Sequence, residues 1–171
     1  FDPDMIDAIP VRKYRWYVQM IMKFALPVAM AVMMISTSAM AATKAEEEKA
    51  VAATVTAVSR CTGIMSVIAE AVAKRSATTD ADKAAAGALI NSANKWTSAA
   101  GMLTLVVGGD KAKMEETSRT VQGIVDKTMQ FLQDKSLSDT SKMYRSMCKR
   151  IEPLQQKLFD EWLKVEKGSS K

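Results

Sequence analysis

Met143, Met147 and Cys148 place three soft sulfur donors on adjacent turns of one helical stretch, a set whose softness would suit Cu(I). Methionine at three- and four-residue spacing on an apolar stripe is more ordinarily the filler of a helical core, however, and Cys148 has the chain's other cysteine, Cys61, as a covalent partner. More than half of the methionines precede Ala42, so their number does not strengthen a sulfur site. The chain contains no histidine. Its absence removes the commonest transition-metal ligand and the usual general base, and with them most zinc, haem and catalytic-triad chemistry. Carboxylate di-metal bundles, which pair Glu-x-x-His motifs on facing helices, fail for the same reason.

Three other features could touch a ligand. Gly108, Gly109 and Asp110 form a glycine turn ahead of a helix start, where free amides could hold an anion, but the Asp110 side chain would take those amides as a cap. Glu70, in I-A-E-A-V, is the carboxylate with the most apolar neighbours, and its position at the edge of the apolar face makes it solvated. Trp96 and Trp162 read as core anchors; with Met102 they also make the candidate lining of an interhelical pocket for a small ligand. No catalytic residue, metal ligand or cofactor is assigned, and the chain does not read as an enzyme.

The elements that would position these residues are helical. Over 45–76 the residues Val51, Val55, Val58, Met65, Ile68 and Val72 recur at three and four, with Cys61 or Thr62 in the gap, and Glu46 to Glu48 sit where carboxylates complement a helix dipole. A break at 77–80 precedes a second helix, capped by Thr79 or Asp80, with Leu89, Ile90, Ala93, Trp96, Ala100, Leu103 and Val107 on one face. Gly108 and Gly109 stop it. Its last turns, M-L-T-L-V-V, are apolar nearly all round, which suits a buried helix end or an exposed patch for a partner.

Asp110 caps a third helix bearing Met114, Val121, Ile124, Val125, Phe131 and Leu132. Ser138 or Asp139 caps a fourth, which carries Met143, Cys148, Ile151, Leu154, Leu158 and Trp162 and is kinked by Pro153. No run alternates with the period of a strand. Short breaks between long helices predict an all-α, up-and-down antiparallel four-helix bundle over residues 42–171. In that arrangement Cys61 and Cys148 lie at matching depths to within a turn, at roughly 1.5 Å per residue, and a disulfide between them is expected.

Ahead of the bundle, residues 24–35 form an uncharged apolar run, preceded by Lys23 and followed by S-T-S-A-M-A-A. This is the layout of a secretory signal peptide over 20–41, with cleavage between Ala41 and Ala42; residues 1–19 are a positive n-region or an artefact. The run is shorter than the roughly 20 residues a spanning helix needs, and Pro27 interrupts it, so retention as an inner-membrane anchor is the second choice. The net charge of +5 is spread in alternating sign rather than in a basic block, which argues against nucleic acid as a partner. The expectation is an exported protein, periplasmic or secreted, that acts by binding, as an interaction partner or accessory subunit of an envelope assembly. The alternatives are a small-ligand carrier with an interhelical pocket, or a membrane-anchored subunit in contact with lipid only through an uncleaved leader.

Overall fold

A computed structural model describes residues 44–74 and 79–169. The leader expected over 1–41 lies outside the described residues. Five α-helices pack together: α1 Lys44–Ala73, α2 Asp80–Gly108, α3 Lys111–Leu132, α4 Leu137–Met147 and α5 Glu152–Ser169, with a 3-10 turn Lys149–Ile151 between the last two. No strand occurs among the described residues.

The central element is α1, which packs against α2, α3 and α4. Three neighbours require a buried surface wider than one stripe, and that surface includes Thr54, Ser59 and Thr62 beside Val55, Val58, Cys61, Ile64 and Met65. These hydroxyls enter the core without orphan donors because each donates to the carbonyl four residues back: Ala50 at 2.9 Å, Val55 at 2.7 Å and Val58 at 2.9 Å. Thr62 Oγ1 also lies 3.2 Å from the Trp96 carbonyl oxygen, joining the middles of α1 and α2. Gly63 sets the approach of α3, since a Cβ there would stand 2.9 Å from Thr128 Cβ and 3.0 Å from the Val125 carbonyl oxygen. By length and composition α1 could cross a membrane, yet more than half of its apolar window is buried inside the fold. Its neighbours cover the apolar surface that gives it that composition.

Three of the helix starts have a local chemical cause. Thr79 caps α2 through a reciprocal box: the Asp82 N–H donates to Thr79 Oγ1 at 3.1 Å and the Thr79 N–H to Asp82 Oδ2 at 3.2 Å. At the other end of α2, Gly109 takes φ 71° and the Asp110 N–H donates to the Gly108 carbonyl at 2.8 Å, a three-residue γ-turn that favours glycine. Asp110 then caps α3 by accepting from the Lys113 N–H at 2.9 Å. The turn is therefore closed by its own aspartate, and the M-L-T-L-V segment before it is buried.

The fourth helix departs from expectation in three ways. It begins earlier, with Ser136 rather than Ser138 or Asp139 as the cap: the Asp139 N–H donates to Ser136 Oγ at 3.1 Å, and the Ser136 hydroxyl to Asp139 Oδ2 at 2.7 Å. That hydroxyl, with Lys142, lowers the Asp139 carboxyl below its ordinary range. The helix is also two helices, not one kinked rod. α4 ends at Met147, a 3-10 turn follows, and α5 restarts with Pro153 in its first turn, where a missing N–H forfeits no internal hydrogen bond. Finally, the halves separate: α4 packs chiefly on α1, whereas α5 packs on α2. The expected side-by-side first and fourth helices hold only for α4.

Cys61 and Cys148 form a disulfide with Cα atoms 5.6 Å apart and a sequence separation of 87. Both are buried, and Cys148 stands at the break itself rather than within a helix. Chain-entropy arguments assign a loop of this length roughly 4–5 kcal/mol. The bond thus fixes the point where the chain leaves α1 and turns toward α2.

Candidate functional site

Two clefts of opposite chemistry flank the Cys148 break, and α4 contributes to both. The first, about 390 Å³, lies between α1, α3 and α4 and is lined by Arg60, Ile64, Ile124, Lys127, Phe131, Met143 and Met147, with two threonines. Phe131 is 61% exposed and Met147 41%. Phe131 neighbours Leu132, and adjacent helical residues point about 100° apart, so the two side chains leave α3 in different directions. Leu132 is the one buried. The Phe131 ring, expected on the core stripe, instead faces the groove with Lys135 Nζ 5.2 Å from its centroid.

The rim of this groove is cationic. Arg60 is the only charged residue between Lys49 and Glu70, and neither Asp nor Glu lines the groove. None of the ion pairs observed among the described residues engages Arg60, Lys127 or Lys135. An apolar floor of methionine and phenylalanine under unneutralised cations suits a partner surface that is apolar and acidic, and methionine's flexible thioether adapts to irregular shapes.

The second cleft, about 490 Å³, lies between α2, the 3-10 turn and α5, where Ser92, Lys95, Tyr144, Lys149, Glu152 and Gln155 supply its chemistry. Tyr144 organises it. Its hydroxyl accepts from the Trp96 indole N–H at 3.2 Å and donates to Glu152 Oε1 at 2.9 Å, while its ring meets Trp96 edge-on at 6.4 Å between centroids. Burial pushes the Tyr144 phenol above its ordinary pKa, and the acceptor Glu152 pushes it the same way. Glu152 Oε2 is held by Lys149 Nζ at 3.0 Å. Gln155 is 6% exposed, and its Nε2 is the one buried side-chain nitrogen or oxygen among the described residues that has no hydrogen-bond partner. An orphan donor of this kind costs about 1–3 kcal/mol.

A third cleft, between the starts of α1 and α3, is lined by Lys44, Glu47, Glu48, Lys113 and Glu116, whose interleaved charges compensate one another.

The residues singled out in the sequence fall as follows. Trp96 and Met102 are fully buried; Trp162 is half-buried, its ring 3.1 Å from where a Cβ on Gly101 would stand. None of the three lines either main cleft, although Trp96 reaches the polar one through its indole N–H. Cys148 is consumed by the disulfide, whereas Met143 and Met147 line the apolar groove. Glu70 is exposed and pairs with Lys74 at 2.6 Å. Among the described residues no group of three or more Cys, Asp or Glu is gathered as a metal site would need. Sequence patterning puts Tyr144 only on the apolar face of the fourth helix, whereas its importance arises from residues distant in the chain. Arg60 did carry a signal, as a lone charge in a long uncharged run.

No family model, curated protein or solved structure matches this chain. The functional reading therefore rests on these clefts, and the apolar groove is the one whose exposed surface is costly without an occupant.

Proposed function

We propose that this chain is an exported, non-enzymatic binding protein, an interaction partner or accessory subunit of an envelope assembly, and that it docks an acidic amphipathic helix of its partner into the groove between α1, α3 and α4. The observation that carries the reading is the exposure of Phe131 and Met147 in one apolar groove whose only charges are the cations Arg60 and Lys127. Aliphatic side chains of the partner helix would sit on Met143, Met147 and Phe131, and its carboxylates would meet Arg60 and Lys127. Export is supported by the signal-peptide layout over 20–41 and by the Cys61–Cys148 disulfide, a bond that persists in oxidising compartments.

The test is site-specific photo-cross-linking of the full chain in its native host. A photoreactive residue replacing Phe131 is expected to trap one discrete partner polypeptide, and the Arg60→Glu, Lys127→Glu double variant to abolish the adduct without altering the helical circular dichroism. The same residue at exposed Gln130 serves as the control. Equal labelling from both positions, or an adduct indifferent to charge reversal, would overturn the proposal.

A further inference from the structure

The polar cleft is not used by the docking groove and is built largely from other helices. Its hydrogen-bond inventory is lopsided. The one carboxylate in the lining, Glu152, is already engaged at both oxygens, by the Tyr144 hydroxyl at 2.9 Å and by Lys149 Nζ at 3.0 Å. The Tyr144 oxygen in turn both donates to Glu152 and accepts from Trp96. What remains uncommitted is donors. Lys95 Nζ has a long 3.4 Å contact with the neutral Gln156 Oε1 and lies 5.6 Å from the centroid of the Phe159 ring, with no carboxylate among its ion pairs. Gln155 Nε2 has no acceptor at all.

With Glu152 and Lys149 neutralising each other, Lys95 leaves the lining one positive charge in excess, and a single ammonium beside amide and hydroxyl donors matches one carboxylate rather than a phosphate dianion, which calls for several cations or a fork of guanidinium. The cleft is of the size that encloses a small metabolite. On the α2 side Ser92 is hydrogen-bonded to Tyr144, and exposed Asn91 supplies a further polar contact.

We infer that the cleft between α2 and α5 is a receptor for a small hydroxylated monocarboxylate, whose carboxylate is taken by Lys95 and whose remaining oxygens supply the acceptor that Gln155 lacks. The site is independent of the docking groove. Because Tyr144 couples the cleft floor to the Trp96 indole, an occupant is reported by that N–H.

The experiment is a titration of the uniformly 15N-labelled full chain, following the Trp96 indole resonance assigned through Trp96→Phe. D-gluconate is the test compound, sorbitol its uncharged counterpart and inorganic phosphate the competing anion. Gluconate is expected to give a saturable shift, sorbitol none, and phosphate only weaker binding. Lys95→Gln should weaken gluconate by about tenfold or more, with Lys95→Arg restoring much of it. Gln155→Leu should weaken binding while raising the melting temperature of the unliganded chain, because the orphan donor is gone. An unsaturable response, an equal shift with sorbitol, tighter binding of phosphate, or indifference to Lys95→Gln would each overturn the inference.

Discussion

The α4 side of the Cys148 break and its α5 side differ in almost every property that governs recognition. On the α4 side the cleft is floored by thioethers and an aromatic ring, and its cations Arg60 and Lys127 enter none of the observed ion pairs. The α5 side holds a connected polar chain from Trp96 through Tyr144 and Glu152 to Lys149. The contrast comes from a single amphipathic stretch: Met143 and Met147 face one cleft, and Tyr144, 100° round the helix, lines the other. An unbroken helix would have kept α5 beside α1. The break sends it to α2 and so opens a second, chemically distinct face.

The largest test of the comparison removes the pin that both sides share. Cys61→Ser with Cys148→Ser is expected to lower unfolding stability by about 4–5 kcal/mol in urea denaturation, with the wild type in reductant behaving alike. A loss under about 1 kcal/mol would mean that packing alone holds the break. Next in size is a pair of truncations. Leu158→Ala, which empties a fully buried position on α5, should cost about 2–5 kcal/mol, whereas Phe131→Ala on the open side should stay within about 0.5 kcal/mol. Similar costs at the two positions would erase the distinction between a packed side and a docking side.

Tyr144→Phe sharpens the comparison by touching one side only. It strips the Trp96 indole and Glu152 of their shared partner and is expected to cost about 1–3 kcal/mol, with Phe131 cross-linking unchanged. The smallest effect is on pH. Because burial raises the Tyr144 phenol, its contribution to stability is fully present below the ordinary tyrosine value of 10.0 and is lost as pH rises through the folded value. Unfolding free energy should therefore decline more steeply in alkali for the wild type than for Tyr144→Phe. A phenolate absorbance step displaced to high pH should disappear in the variant.

Much of the framework was legible in the residues. Apolar three-four spacing, Glu46 and Glu47 at one helix start and the Gly108-Gly109-Asp110 stop are local signals, and α1, α2 and α3 fall close to where these place them. The Cys61–Cys148 pairing was also readable, since two cysteines in one chain have one way to pair within it. The geometry inferred for that pairing was less faithful, because equal depths assumed a fourth helix running the length of α1. Pro153 marks the restart of α5, but the chain leaves its helix at Cys148, where the covalent bond to α1 and the docking of α5 on α2 decide the direction. Local patterning contains neither influence. The same limit applies to the sites: Trp96, Met102 and Trp162 have the composition of a pocket, but Trp96 and Met102 went wholly into packing and Trp162 lies half-buried on Gly101. The polar cleft depends on Tyr144 meeting a tryptophan 48 positions away.

The disulfide has one more consequence, for how the molecule responds to proteases. All of α2, α3 and α4 lie between Cys61 and Cys148 in the chain, so a single cut in the Gly109 turn or before Ser136 leaves both pieces covalently tied. A nicked molecule would keep its clefts and run as one species until reduced. α5 lies beyond Cys148, outside that protected ring, and α5 carries Gln155. Trimming from the carboxyl end therefore erodes the polar cleft first and spares the apolar groove, a one-way order of loss written into the position of a single bond.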